Sequence, residues 1–246
     1  MIKGLYPIFD HWSEQGTVWL ISDTHFNDPE LWVGANRAVR DNDELVKIIN
    51  SKCGKNDTLI HLGDVGDLSY ISKLKARHKV LICGNHDAGH TNYERKIVKK
   101  IFDVDACSKE NILKVMKENY PNHRITISDK IYDVLKAPFV YYEAKADNNL
   151  FDEIYSGPVM ISEKIILSHE PVSVPWAYNI HGHVHWPGAK GDKSHLNVCP
   201  DARQSFEPIN FNSIIKNGIA SNIESIHRIT IDRATINSIK KGSKSK

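Results

Sequence analysis

The sequence predicts a layered α/β fold built on a mainly parallel sheet, and three observations carry that prediction. Apolar runs rich in β-formers alternate with segments of helical spacing. Several of these runs end abruptly in a polar cluster containing Asp, Asn or His, as buried strands do when they deliver ligands from their C-terminal ends. At 246 residues, 41% of them hydrophobic, the chain can bury a large single core.

The first strand is expected over residues 17–22 and closes on Ser22-Asp23-Thr24-His25. Asp23 and His25 differ by two positions, so on extended backbone they would point the same way. Residues 26–40 are polar and aromatic and read as a loop with a turn of helix near Asn36. Asp41 then occupies a cap position with Glu44 three residues on. Leu45, Ile48 and Ile49 follow at helical spacing to about Lys52, and Gly54 stops the helix. Thr58-Leu59-Ile60-His61-Leu62 is the second strand, closed by Gly63-Asp64. A short helix over residues 68–77, with Asp67 as its cap, leads to the third strand, Lys79-Val80-Leu81-Ile82-Cys83. That strand closes on Gly84-Asn85-His86-Asp87.

A helix is expected over residues 92–101 from Tyr93, Ile97, Val98 and Ile101. The span 103–150 then breaks the rhythm. It reads as a helix capped by Ser108 and stopped before Pro121, short strands over residues 124–127 and 139–142, and a polar turn over residues 145–149. Being too short for a large core of its own, it is expected to be an insertion or cap within a single domain of residues 1–246, with a purely structural role and a substrate-selecting role equally open. The sheet resumes over residues 164–168, closed by His169-Glu170-Pro171, and over residues 177–180, closed by His181-Gly182-His183-Val184-His185. Further strands are expected over residues 195–199 and 228–232, before a basic tail that reads as a solvated end.

Composition excludes several classes. No apolar run is long enough to span a membrane, and the N-terminus lacks the apolar core and cleavage site of a signal peptide. Four scattered cysteines without a Cys-x-x-Cys pair point to reduced thiols and a cytoplasmic location. A net charge of +2 gives no argument for a polyanionic partner. Thirteen histidines are the unusual count.

Five clusters stand at strand ends: Asp23/His25, Asp64, Asn85/His86, His169 and His183/His185. Taken singly, each has an ordinary structural role: Asp64 and Asn85 as turn residues, His169 as a hydrogen-bonded strand end, His183 and His185 as a surface pair. Taken together they place carboxylates, imidazoles and one amide oxygen along the rim of an α/β sheet where ligands bind. That donor set suits a first-row divalent ion such as manganese, iron or zinc better than calcium or a thiolate site. Seven candidate ligands exceed one tetrahedral ion and suit two ions about 4 Å apart that share a carboxylate. His61 and His181 lie inside strands and read as packed histidines.

In Asp23-Thr24-His25, Gly63-Asp64, Gly84-Asn85-His86-Asp87, His169 and Gly182-His183-Val184-His185 the sequence resembles the calcineurin-like metallophosphoesterase superfamily, and within it small bacterial and phage phosphoesterases. The resemblance spans roughly residues 17–200 and leaves out 103–150. It implies a four-layer α/β/β/α sandwich with an inserted helix and hairpin region. It also implies one ion on Asp23, His25, Asp64 and His185, and a second on Asp64, Asn85, His169 and His183, with Asp64 bridging. Manganese is expected, with iron, nickel or zinc as alternatives. His86 would face the leaving group, oriented by Asp87, while a metal-bridging hydroxide attacks phosphorus. Asn27 and Arg37, on the loop after the first block, are candidate contacts to a substrate phosphate, with a surface salt bridge an equal alternative for Arg37. The expected substrate is a small phosphorylated molecule or nucleotide, as a mono- or diester. A nuclease acting on DNA or RNA comes second, because the sequence shows no concentrated basic run outside the tail. A metal-binding scaffold without catalysis comes third, since every ligand and His86 are intact.

Overall fold

The computed structural model describes residues 2–87, 92–134 and 137–224. A 3-10 segment (Pro7–Ser13) precedes strand β1 (Val18–Ile21), helices α1 (Pro29–Gly34) and α2 (Asn42–Lys52), β2 (Thr58–His61), α3 (Leu68–Ile71) and β3 (His78–Ile82). Then come β4 (Ile97–Asp103), α4 (Lys109–Asn119), β5 (Arg124–Val134) and β6 (Ala137–Asp147). The remainder is β7 (Glu153–Tyr155), β8 (Val159–Ser162), β9 (Ile165–Leu167), β10 (Tyr178–His181), β11 (His195–Asn197), α5 (Pro200–Arg203), β12 (Ile209–Asn210) and α6 (Phe211–Lys216). Among the described residues no helix is long and apolar enough to cross a membrane.

Two sheets form the centre of this mixed α/β fold. One runs β12-β1-β2-β3-β7, parallel except for β12, and the other β11-β10-β9-β8, parallel except for β8. Strand alternation sorts the core. Leu20, Ile60 and Val80 stand side by side and face Leu167, Ile180 and Val198 of the second sheet. Ile21, Leu59 and Leu81 point the other way, onto Leu45 and Ile49 of α2 and Ile71 of α3. Both faces of the five-stranded sheet are therefore buried, which is why β1 to β3 read as near-continuous apolar runs. The two central sheets and the α2/α3 layer match the sandwich expected from the resemblance. Asp41 caps α2 by accepting the Glu44 N–H at 2.7 Å, and Asp67 caps α3 by accepting that of Ser69 at 2.9 Å.

The expected helix over residues 92–101 is a strand instead. β4 pairs antiparallel with β6, so Val98 and Phe102 pack inward while Ile97 and Ile101 stand 48% and 69% exposed. Apolar positions 97, 98, 101 and 102 fit either period, and the β-branched residues and the waiting partner strand decide. The short strands expected near 124 and 139 belong to two 11-residue strands, β5 and β6. The expected turn at 145–149 begins only after Asp147, because β6 is held on both sides by β4 and β5. β7, β8, β12 and the small helices α5 and α6 were not expected. The expected strand over residues 228–232 and the basic tail lie outside the described residues.

β4, β6 and β5 form a third sheet, on which α4 lays Ile112 and Met116, spaced i and i+4, against Ala144 and Ala146. Ser108 caps α4 through the Asn111 N–H. This cluster is separate from the two central ones. Met116→Ala should therefore cost about 2–5 kcal/mol locally. In hydrogen exchange, lost amide protection is expected within residues 97–147 and not in β1 to β3.

Candidate metal centre

The loops that leave β1, β2, β3, β9 and β10 meet at the C-terminal rim of the two sheets. Backbone bonds stitch the first two together: Asp23 N–H donates to Gly63 O at 2.9 Å and His25 N–H to Asp64 O at 3.1 Å. Asp23 and His25 are not on extended backbone, as their spacing suggested. Both are left-handed (φ 49° and 42°), as are Asp64 (57°) and His183 (65°). Four candidate ligands thus sit in conformations that cost roughly 1–3 kcal/mol each, the kind of local strain that collects at functional sites.

Two groups of ligand atoms result. Asp23, His25 and His185 form one and Asp64, His169 and His183 the other, each set lying within 4.8 Å. Asp64 Oδ2 stands between them, 3.4 Å from His25 Nε2 and 3.3 Å from His169 Nε2. Asn85 Oδ1 joins the second group at 3.0 Å from His169 Nε2 and 3.1 Å from His183 Nδ1. His185 Nε2 lies 3.3 Å from Asp23 Oδ1.

The far nitrogens of three of these rings are anchored. His169 Nδ1 faces the Leu62 carbonyl at 2.8 Å, His185 Nδ1 faces Asp201 Oδ2 at 2.7 Å, and His25 Nδ1 faces Asp28 Oδ2 at 3.3 Å. With hydrogen on Nδ1, each ring turns Nε2 toward a carboxylate or amide oxygen, and once the Nε2 proton is displaced that nitrogen offers a lone pair there. Lone pairs converging in this way need a positive charge between them. His25 Nε2 is buried and makes no hydrogen bond, which fits a metal ligand. The donor set of carboxylate, imidazole and one amide suits a first-row divalent ion.

The electrostatics point the same way. Burial pushes Asp23 up, but the His185 hydrogen bond and the charge of His169 outweigh it and hold the carboxyl below its usual range. Asp64 is held well below that range in the same manner, by His169 and His25 against its own burial. His185 is driven upward to about 12, Asp201 and Asp23 overcoming the effect of burial, and His169 also rises. Burial lowers His61 to about 4, in keeping with a packed neutral ring 2.9 Å from the Thr24 hydroxyl.

Asp87 does not orient His86. Its carboxylate is buried and accepts backbone N–H groups from Asp64 (2.7 Å), Gly84 (2.8 Å) and Val65 (3.1 Å), so it holds loops and does not touch the reacting side. His86 is exposed on the cavity wall, its ring 5.2 Å from that of His25. Arg37 is neither a phosphate contact nor a surface residue. Only 2% exposed, its guanidinium pairs with both oxygens of Asp201 (3.0 and 2.6 Å) and donates to the carbonyls of Thr24 and Asp23. Asn27 stays exposed and lines the same cavity as His25 and His86. Asp28 and Asp201, which orient His25 and His185, went unnoticed in the sequence. Asp28 follows the first block by three residues, whereas Asp201 carries no local signal at all.

A mixed α/β fold whose strand ends gather carboxylates and imidazoles around shared lone pairs is that of a metal-dependent hydrolase. Residues 16–198 match the calcineurin-like phosphoesterase family, and the chain belongs to that family. Membership carries metal-dependent hydrolysis of phosphate esters. The crystal structure of AQ665, a protein of unknown function from Aquifex aeolicus, aligns with 82% of this chain and 98% of its own, at 20% identity and a TM-score of 0.47. No curated protein matches the sequence.

Asp201→Asn should weaken metal affinity roughly 10–100-fold by loosening His185, as losing an outer partner of a ligand does, measured by competition with a chromogenic chelator. Because His185 is driven up to about 12, it holds a proton at pH 7 that a cation must displace. Metal affinity is therefore expected to rise with pH, and calorimetry in buffers of different ionisation enthalpy should register proton release.

Proposed function

We propose that this chain hydrolyses a small phosphate mono- or diester at a two-metal centre. One ion would sit on Asp23, His25, Asp64 and His185 and the other on Asp64, Asn85, His169 and His183. Manganese is the first candidate, and iron, nickel or zinc are alternatives. The observation that carries the reading is Asp64 Oδ2, within 3.4 Å of one imidazole from each group, where a bridging carboxylate belongs. Divalent ions held there would supply Lewis acidity toward the phosphoryl oxygens and acidify water.

The chain's own groups supply the rest. His86 lines the open cavity beside His25, and among the described residues its ring makes no hydrogen bond; it would give a proton to the departing alkoxide. Asn85 adds an oxygen ligand without adding negative charge, which leaves room for a phosphate anion. Arg37 neutralises Asp201 behind His185, so the outer carboxylate does not add a free charge to the site.

The cavities support a small substrate over a nucleic acid. On the His86 side a space of about 440 Å³ is lined by Phe26, Asn27, Asp28, Glu30 and Asp67 among others, and on the Asn85 side one of about 280 Å³ by Ser156, Pro158 and Glu170 among others. Among the described residues neither is lined by Lys or Arg, whereas polynucleotide binding draws its affinity from cations along the phosphate backbone.

The test is metal content together with turnover of a chromogenic monoester and diester, with single-stranded DNA and RNA assayed alongside. Asp64→Ala should lose both bound metal and turnover. His86→Ala should keep its metal and lose about 10²–10⁴-fold in kcat, the scale of a missing general acid. Undiminished turnover in Asp64→Ala would reject the two-metal reading, and degradation of nucleic acid in preference to small esters would favour the nuclease.

A further inference from the structure

Two histidines and a glutamate with no part in the phosphoesterase site meet at the opposite edge of the five-stranded sheet. His78 begins β3 and Glu153 begins β7, so both stand at N-terminal strand ends, while the site described above occupies the C-terminal ends. His11 reaches them from the 3-10 segment. Nε2 of His11 and Nε2 of His78 lie 2.5 and 2.6 Å from the same oxygen, Glu153 Oε1, with ring centroids 5.4 Å apart. The other oxygen, Oε2, accepts the Tyr155 hydroxyl at 2.7 Å, and the Trp12 indole N–H is shared between Oε1 at 3.0 Å and Oε2 at 3.2 Å.

Two imidazole nitrogens and a carboxylate oxygen directed at one another are three ligands of a tetrahedral zinc site. The His11 side chain is 42% exposed, which opens the fourth position to water. Tyr155 holds the carboxylate through Oε2, as an outer partner of a metal ligand does, while Trp12 steadies both oxygens. Asp152 Oδ2 accepts the Lys79 N–H at 2.8 Å and lies 3.7 Å from His78 Nδ1, so it adds negative charge beside the ring.

We propose that His11, His78 and Glu153 bind a first-row divalent ion of the zinc type, which clips the N-terminal segment to the starts of β3 and β7. The imidazole pair selects zinc over magnesium or calcium, which prefer oxygen ligands throughout. The ion is structural: no catalytic group of the phosphoesterase site lies at this edge of the sheet.

The test compares the full chain with His11→Gln and His78→Gln after dialysis against equal concentrations of Zn²⁺. Both variants should retain one Zn²⁺ per chain fewer than the unaltered protein, while hydrolysis of a chromogenic ester is unchanged. The difference in zinc content stands however many ions the phosphoesterase site holds, so failure of that reading does not decide this one. Crystals of the unaltered chain soaked in Zn²⁺ should also show an anomalous peak between His11 and His78, which keeps the test alive if a variant does not fold. Equal zinc content in the unaltered chain and a folded His11→Gln, or no anomalous peak, overturns the proposal.

Discussion

Asp87 accepts the backbone N–H groups of Asp64, Gly84 and Val65, so one buried carboxylate ties the loop after β2 to the loop after β3. The rest of the rim is built on that joint. Asp64 is held at φ 57°, its Oδ1 accepts the His86 N–H at 3.0 Å, and its Oδ2 stands between His25 and His169. A left-handed aspartate is unfavourable by roughly 1–3 kcal/mol. Hydrogen bonds to a charged acceptor contribute about 1.5–3 kcal/mol each, so three of them offset such strain at more than one residue. The motif aspartate closest to His86 in sequence therefore acts on the geometry of the two loops.

The second constraint is charge. Asp23, Asp64 and Asp201 are all buried, and Arg37 is the buried cation paired with Asp201. Burying a carboxylate without compensation is far more costly than the net stability of a domain allows, so positive charge must enter from somewhere. His185 and His169 answer by holding protons more tightly than an ordinary imidazole. A divalent ion answers the same demand more strongly. The imbalance that raises these histidines and the affinity for metal are one property seen through two cations. It also explains why Arg37 is buried: it balances the carboxylate that orients His185, and stacks over Phe206 with its guanidinium 5.4 Å from the ring centroid.

What the sequence made legible follows from what is local. Runs buried on both faces announce β1 to β3, and polar residues placed directly after them announce ligands at strand ends. Caps at Asp41, Asp67 and Ser108 are equally local and were read correctly. Asp201 is invisible in the sequence because it joins His185 only through tertiary folding, in a four-residue helix that begins at Pro200. Arg37 was misplaced for the same reason, its partner lying 164 positions away. β4 was misread because its apolar positions satisfy two periods at once, and only pairing with β6 chooses between them. The shared direction of Asp23 and His25 was argued from extended backbone, yet β1 has already ended at Ile21.

The glycines inside the blocks show why the five blocks stand or fall together. A Cβ on Gly84 would lie 2.7 Å from the Asp64 backbone nitrogen and 3.0 Å from its Cγ, inside the space of a ligand from another block. On Gly63, at φ 89°, it would come within 2.6 Å of His169 Nδ1. On Gly182 it would press into Asp23 and lie 2.6 Å from Ser22 Cβ. Each glycine thus makes room for a ligand supplied by a different strand, as close backbone approach requires. The glycine beside a ligand in one block is therefore explained by a ligand in another. Packing, and not only chemistry, binds the words of the motif to one another.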